Sequence, residues 1–513
     1  MSITPNQTEE YRIWGPPGTG KTTWIAEHAE LSIKKYGSDQ VSICSLTKAA
    51  VEEVVSRDIP IDSENMTTLH ARCKRALQAP PPAESYMRDF IKDHPKYSGE
   101  KSLPIHKFDI TRGEIALASG LTIYDKVQIA RQQLIPIDEW RPILKEWYSV
   151  WLRWCLENGL MDYTSWLEAA IETKCLPAQA VIYIDEAQDH TPLQLKVIRS
   201  WNVRYLILVG DDDQSLYEWS GSIPEEFLRS DIPDNRNMIL SQSYRVPRTI
   251  HRVAEDILSR ISKRRSKPYM PTDADGEVKS SNFSISDSRE ALIPNINDGR
   301  EHMILTSCSY MLNGIIRNLK MNGIPFHNPY RTSNLDWNPL ATDAARAAKG
   351  YLTGIWTGSV ILNWMSIIDK SVFSSEDGLR SYCNDNLDRE IHHNEILQFL
   401  AERTAETLLS RRFQALLQLR RKVPHGSWEY FGKALEEKTR PKIIVGTIHS
   451  VKGGESEVVH VFPDLSSAGH ADMTYNSDRI HRLFYTAVTR AKNSIVIYDQ
   501  GNCPYAYHIG RRR

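Results

Sequence analysis

Residues 11–22 read YRIWGPPGTGKT, and this stretch decides the fold. Tyr11–Trp14 is a short strand-like run, residues 15–22 fit the pattern GxxxxGK[ST], and a helical pattern follows. Gly15, Gly18 and Gly20 let the backbone wrap phosphates so that N–H groups point inward. Lys21 has the length to reach β- and γ-phosphates, and the Thr22 hydroxyl suits a Mg²⁺ ion. Pro16, Pro17, Thr19 and Thr23 complete the expected lining of the loop. A strand, a glycine-rich loop and a helix in that order predict a phosphate-binding site on a parallel α/β sheet.

Working outward, three more apolar runs lead into a loop and then a helical pattern: Val41–Ser45, Val181–Ile184 and Tyr205–Val209. Strands buried on both faces read this way, so the spacing predicts an α/β unit. A second set, His302–Thr306, Lys442–Gly446, Val458–Phe462 and Ser494–Tyr498, predicts another. The third run continues as VIYIDEAQD over residues 181–189. A strand ending in adjacent acids suits a second Mg²⁺ ligand, Asp185, beside a carboxylate able to take a proton from water, Glu186.

At roughly 100–200 residues per domain, 513 residues imply about three or four domains. The 63 Lys+Arg nearly cancel the 64 Asp+Glu, which excludes a uniformly basic coat but not a locally basic groove. The seven cysteines are scattered without a CxxC pair, so neither a zinc site nor a disulfide framework is expected. No run of about 18 apolar residues occurs, so no membrane-spanning helix is expected. The opening MSITPNQTEEYRIWG lacks the pattern of a signal peptide.

Two helical stretches interrupt the α/β pattern. The first ends in a helix carrying Trp140, Ile143, Leu144, Trp147, Trp151 and Trp154 at helical period, read here as the core of an inserted subdomain. The second, from about 340, includes a helical segment over His393–Arg412 and a basic stretch between 411 and 442. That stretch, and a smaller basic cluster over Arg260–Lys267, are candidates for phosphate-backbone contact.

The phosphate loop and the DE strand are shared with AAA+ ATPases, so other motifs must decide. TKAAVEEV at Thr47–Val54, TTLH at Thr67–His70, GLMDYTSWL at Gly159–Leu167, GDDDQSLYEWSG at Gly210–Gly221, SQSYR at Ser241–Arg245, GTIHSVKGGE at Gly446–Glu455 and RLFYTAVTRAK at Arg482–Lys492 follow in order. With DEAQD, they resemble the motifs of the UvrD-like helicases of superfamily 1A over nearly the whole chain. The resemblance implies two RecA-like P-loop motor domains, each with a mainly helical insertion, and ATP in the cleft between them. Residues 1–78 and 159–240 would form the first motor domain and 79–158 its insertion. Residues 241–339 and 438–513 would form the second, with 340–437 as its insertion.

The same resemblance assigns roles. Lys21, Asp185, Glu186, Gln214, Arg245 and Arg490 would carry hydrolysis, with Gln214 between γ-phosphate and water and the two arginines on the γ-phosphate. Tyr244 would stack on adenine and Glu455 would contact the ribose. Tyr217 and Trp219 would stack on or wedge between bases, while Thr47, Lys48, Thr68, His70, Thr447 and His449 would lie near the strand backbone. ATP and Mg²⁺ are the implied cofactors, and single-stranded or tailed duplex DNA the implied partner. A protein that activates unwinding is a further expected partner, a membrane is not, and the cytoplasm of a bacterial or phage-infected cell is the expected location.

The chain departs from the family at several points. Gln7 stands alone as the candidate for an adenine-recognising glutamine, Ser45 and Leu46 replace the usual aromatic before Thr47, and Ser220 stands where a basic residue is usual. Three activities stay open at this level: a helicase that unwinds duplex 3′→5′, a DNA-stimulated translocase that unwinds only with a partner, and a nucleotide-dependent binding switch. The intact set of Glu186 and both arginines argues against the switch.

Overall fold

The computed structural model describes residues 8–45, 61, 63–97, 122–173, 179–201, 203–229, 231–283, 296, 298–322, 324–403, 440–499 and 505–510. Thr47, Lys48, Gln7 and most of the basic stretch between 411 and 442 lie outside them. The chain forms two compact units. One comprises Met1–Glu277, Leu465–Asn493 and Tyr507–Arg513; the other comprises Val278–Asp464 and Ser494–Ala506.

The first unit is built on strands β1 Glu9–Trp14, β2 Val41–Ser45, β3 Met66–Thr68, β4 Val181–Ile184, β5 Tyr205–Gly210 and β6 Asn237–Ile239. They form one sheet in the order β3-β2-β4-β5-β1-β6, and every neighbouring pair runs parallel. Alternate residues of the buried strands enter opposite cores. Ile182, Ile184, Leu206 and Leu208 pack with Trp14, Leu69, Leu193 and Phe227 on one face. Val181, Tyr183, Ile207 and Val209 pack with Ile13, Ile25, Ala29 and Ile43 on the other. Burial on both faces is why these strands read as unbroken apolar runs. The edge strands β3 and β6 have only three residues each, too few for a periodic signal, and the sequence reading did not anticipate them.

Helices between β3 and β4 form their own core around Phe90, Trp140, Leu144, Trp147, Trp151 and Trp154. Phe90 meets the Trp151 ring edge-on at a centroid distance of 4.9 Å, and Trp147 stacks on Trp151 at 5.5 Å. The indole N–H groups of Trp151 and Trp154 donate to Asp162 and Asp93. These rings are enclosed, so they are packing residues and not base-stacking surfaces. Ile143 departs from the expected stripe. It lies in the helix's first turn, beside the four–three spacing of 140, 144, 147, 151 and 154, and is 47% exposed.

The second unit carries β7 Glu277–Ser281, β8 His302–Thr306, β9 Phe326–His327, β10 Ile443–Thr447, β11 Ser456–Val461 and β12 Ala491–Tyr498 in the order β7-β12-β11-β8-β10-β9. Strand β8 runs parallel to both β10 and β11. Helices Asp343–Thr353, Gly358–Met365 and Glu376–Asn384 lie between β9 and β10, and Trp364, Leu379 and Cys383 anchor a separate core there. The helix expected over His393–Arg412 is shorter in its described part. It ends at Ile396, a 3-10 turn follows, and Ala401 N–H then bonds to the Val372 carbonyl, drawing the chain out of helical geometry. Among the described residues no helix is long and apolar enough to cross a membrane.

A buried polar chain threads this second sheet. His302 Nε2 lies 2.8 Å from Asp298 Oδ1, His302 Nδ1 lies 2.9 Å from His460 Nε2, and His460 Nδ1 lies 2.9 Å from Tyr498 Oη. The Asp298 carboxylate can only accept, which makes His302 Nε2 the donor. His302 Nδ1 must then accept from His460 Nε2–H, leaving His460 Nδ1 to accept from the Tyr498 hydroxyl. Burial pushes the His460 pKa down to about 3, with the neighbouring His302 adding to the effect. Between pH 6.5 and that value the unfolded chain binds a proton the folded chain refuses, so stability present above pH 6.5 is lost on acidification. The melting temperature is therefore expected to fall from pH 7 to pH 5. His460→Gln should flatten that slope in calorimetry, and parallel curves for variant and wild type would refute the assignment.

Candidate nucleotide site

The helix Lys21–Tyr36 starts directly after the glycine-rich loop. Its N-cap, Gly20, sits in left-handed geometry (φ 78°), and no side chain caps the helix or places an acid in its first turn. The positive end of the helix dipole at this glycine-rich loop therefore favours an anion. Gly15 N–H bonds to the Gly210 carbonyl at 3.0 Å, pinning the loop to the carboxyl end of β5. Lys21 Nζ donates to the Gly15 carbonyl at 2.8 Å. A Cβ at Gly15 would stand 2.4 Å from Lys21 Cγ, so the lysine's path needs glycine there. Burial pushes the Lys21 ammonium below its ordinary range, while Glu186, Asp211 and Asp185 pull it back.

Those carboxylates come from the ends of neighbouring strands. Asp185 follows β4 and is 4% exposed, and its Oδ1 accepts from Glu186 N–H at 2.9 Å. Glu186 adopts φ 51°, the left-handed region that a non-glycine residue enters at a cost, which turns its side chain out of the strand direction. Gln188 then joins two motifs. Its Nε2 donates to Glu186 Oε2 at 2.5 Å, and its Oε1 accepts from Asp211 N–H at 2.9 Å. Gly210 admits it, since a Cβ there would lie 2.2 Å from Gln188 Oε1.

The line continues through Gln214. Its Nε2 donates to Asp211 Oδ2 at 2.7 Å, and its Oε1 accepts from an Arg490 guanidinium N–H at 2.7 Å. Arg490 is buried, and its Nε donates to the Thr486 carbonyl. Residues of SQSYR close over the loop. Ser243 Oγ donates to the Pro17 carbonyl, Tyr244 N–H donates to the Gly18 carbonyl at 2.8 Å, and Tyr269 Oη donates to the Pro17 carbonyl. Gly18, at φ 74°, would place a Cβ 2.5 Å from Arg245 Cβ. Tyr244 is 77% exposed, so its ring face is open to a base.

The acidic run Asp211–Asp213 is fully buried, and sequence reasoning missed what makes that tolerable. Lys267 Nζ pairs with all three carboxylates. Arg264 forms a bidentate pair with Asp213, both bonds at 2.8 Å. Arg260 meanwhile pairs with Asp256, Lys263 with Glu225, and the Arg265 guanidinium lies over the Trp14 ring. Within the cluster read as a candidate for phosphate contact, Lys267 and Arg264 are therefore engaged by buried acids, whereas the Lys263–Glu225 pair is exposed. The signal available was the acid run itself, since three buried Asp require buried cations.

The other expected contacts are placed as follows. Thr68 caps the helix Leu69–Leu77 through its hydroxyl, and His70 abuts the Tyr163 ring edge-on, with burial lowering its pKa to about 4. Tyr217 and Trp219 are half-buried, ring centroids 5.9 Å apart, with Glu218 between them paired to Arg482. Thr447, His449 and Glu455 belong to the second unit, where Thr447 Oγ1 accepts from Ser450 N–H. There a Cβ on Gly454 would lie 2.3 Å from Tyr330 Oη.

A phosphate-wrapping loop on the carboxyl edge of a parallel sheet makes the chain a RecA-like P-loop protein. Comparison with known proteins narrows this class. The AAA domain family matches residues 4–220, and the UvrD-like helicase C-terminal domain matches residues 442–498. A probable DNA helicase II homolog of Mycoplasma pneumoniae is 22% identical, aligned over 94% of this chain and 81% of its own length. The ATP-dependent DNA helicase PcrA of Staphylococcus aureus is 31% identical over 19% of this chain and 14% of that protein. DNA helicase II of Escherichia coli is 29% identical over 26% of this chain and 21% of that protein. Together these similarities support a UvrD-like helicase of superfamily 1A.

Proposed function

We propose that this chain is a DNA-dependent ATPase that moves 3′→5′ along single-stranded DNA and unwinds duplex. The observation that carries the reading is the hydrogen-bonded line Glu186–Gln188–Asp211–Gln214–Arg490 beside the uncapped helix at Lys21. It joins the residue suited to activate water to a guanidinium suited to stabilise transferred phosphoryl charge. A pure binding switch has no use for that pairing.

Oxygen donors suit a hard cation, and Thr22 and Asp185 would hold Mg²⁺, which supplies charge neutralisation to the phosphates. Lys21 binds the phosphate tail, and Glu186 orients water and accepts its proton. Arg490, with Arg245, stabilises charge on the transferred group. Tyr244 stacks on the base and Glu455 meets the ribose. On the DNA side, Tyr217 and Trp219 offer stacking faces, and Thr47, Lys48, Thr68, His70, Thr447 and His449 serve the strand backbone. The cytoplasm of a bacterial or phage-infected cell is the proposed setting, with a protein partner that activates unwinding.

Strand separation on 3′-tailed and 5′-tailed duplexes tests the reading. Unwinding from 3′ tails supports it, unwinding from 5′ tails alone overturns the polarity, and movement without strand separation reassigns the chain as a translocase. Trp219→Ala is expected to slow translocation on oligo(dT) by about tenfold, since one base–aromatic stack is worth about 1–3 kcal/mol, while basal ATPase is retained. Equal loss of both in stopped-flow and phosphate-release assays would make Trp219 a packing residue.

A further inference from the structure

The helices between β3 and β4 meet the nucleotide-site segments at Gln132, the last residue of helix Ile123–Gln132. Its amide is buried and bonded at both ends. Oε1 accepts from the Thr191 hydroxyl at 2.6 Å, and Nε2 donates to Thr164 Oγ1 at 2.9 Å. Thr191 lies two residues beyond DEAQD and caps helix Pro192–Ser200 in a capping box with Gln194. A hydroxyl has one proton, and here it goes to Gln132, leaving lone pairs for Gln194 N–H at 3.2 Å. Thr191 therefore cannot rotate toward another acceptor without losing its bond to Gln132.

A second approach comes from GDDDQSLYEWSG. Its final residue, Gly221, has φ 101°, and a Cβ there would stand 3.2 Å from Gln132 Cβ. The two motifs are also joined directly, through Leu216 N–H donating to Asp189 Oδ1 at 3.2 Å. Gln132 thus touches both segments that carry Glu186 and Gln214.

The helix bearing Gln132 is held stiffly. Neighbouring Arg131 is buried and pairs with Asp162 at 2.6 Å and with Glu168 at 2.6 Å. Asp162 in turn accepts from Gln128 and from the Trp151 indole, in the core of the inserted helices. A displacement of that core reaches Gln132 without being absorbed by loose side chains.

We infer that Gln132 is a positioning residue that ties the inserted helices to the DEAQD and GDDDQSLYEWSG segments, so that strand binding at Tyr217 and Trp219 is felt at the hydrolytic carboxylate. The DNA part of this inference rests on the proposed function; the tie itself does not. The test compares wild type, Gln132→Met, which preserves shape but removes both bonds, and Thr191→Ser, which keeps the donor. Phosphate release is measured with and without oligo(dT), and amide hydrogen exchange of residues 123–132 with and without a nonhydrolysable ATP analogue. Gln132→Met is expected to hold basal turnover near wild type but cut the stimulation ratio about tenfold, while Thr191→Ser keeps it. The analogue's effect on exchange in residues 123–132 should disappear in Gln132→Met and survive in Thr191→Ser. An unchanged ratio and exchange response in Gln132→Met overturns the inference, as does parallel loss of basal and stimulated turnover. Wild-type turnover indifferent to DNA overturns the DNA reading alone, and the exchange comparison then decides the role of Gln132.

Discussion

Lys21→Ala is expected to abolish ATP hydrolysis, lowering turnover by about 10³-fold or more in a steady-state phosphate-release assay. Removing one preorganised donor from a developing oxyanion typically costs about 10²–10³-fold. Lys21 contributes a full charge as well as a donor, in a setting where burial raises the worth of each interaction. Its ammonium rests on the Gly15 carbonyl and senses the carboxylates of Glu186, Asp211 and Asp185. Alanine would remove the ammonium that these acids attract, and a phosphate tail arriving there would meet more negative charge. Turnover at the wild-type rate in Lys21→Ala would remove the proposed site.

Lys267→Met is expected to destabilise the first unit by about 3–5 kcal/mol, the usual cost of removing one partner from a buried ion pair. Three buried carboxylates converge on this ammonium, and among the described residues only Asp213 has a second strong cation, Arg264. Burial and Asp213 already push the Asp212 pKa up to about 6, with Lys267 holding it down. Without Lys267 the run relaxes by taking up protons. The folded variant then binds protons that the unfolded chain does not, so its deficit should shrink as pH falls from 7.5 to 5.5. Adding Asp212→Asn should recover part of the loss at pH 7.5. Urea unfolding of the three proteins at both pH values measures this; a deficit independent of pH would contradict the charge argument. Because Asp211 also holds Gln214, turnover should fall along with stability.

Much of this arrangement was legible in the sequence because the chemistry is contiguous. GPPGTGKT, DEAQD and GDDDQ each directly follow a strand, so reading the strand places the motif at the sheet's carboxyl edge. The Trp stripe was legible as core because five of its positions alternate by four and three. Charge was harder to read. Lys267 and Arg264 resemble a solvated basic cluster until the fold brings them against Asp211–Asp213, more than fifty residues earlier in the chain. Gln132 and Thr191 carry no pattern at all, since an isolated glutamine and threonine gain meaning only when a hydrogen bond pairs them. The edge strands β3, β6 and β9 escaped for another reason. Each has two or three residues, and their pairing is imposed by the neighbouring strand more than by their own propensity.

ATP hydrolysis at Lys21 and Glu186 is expected to be driven by single-stranded DNA. Phosphate release by the intact chain, with and without oligo(dT) at low salt, tests it most directly. A DNA-dependent rise of at least about tenfold that weakens as salt increases is expected, because the strand is held through its phosphates. Hydrolysis at the same rate with and without DNA would contradict it.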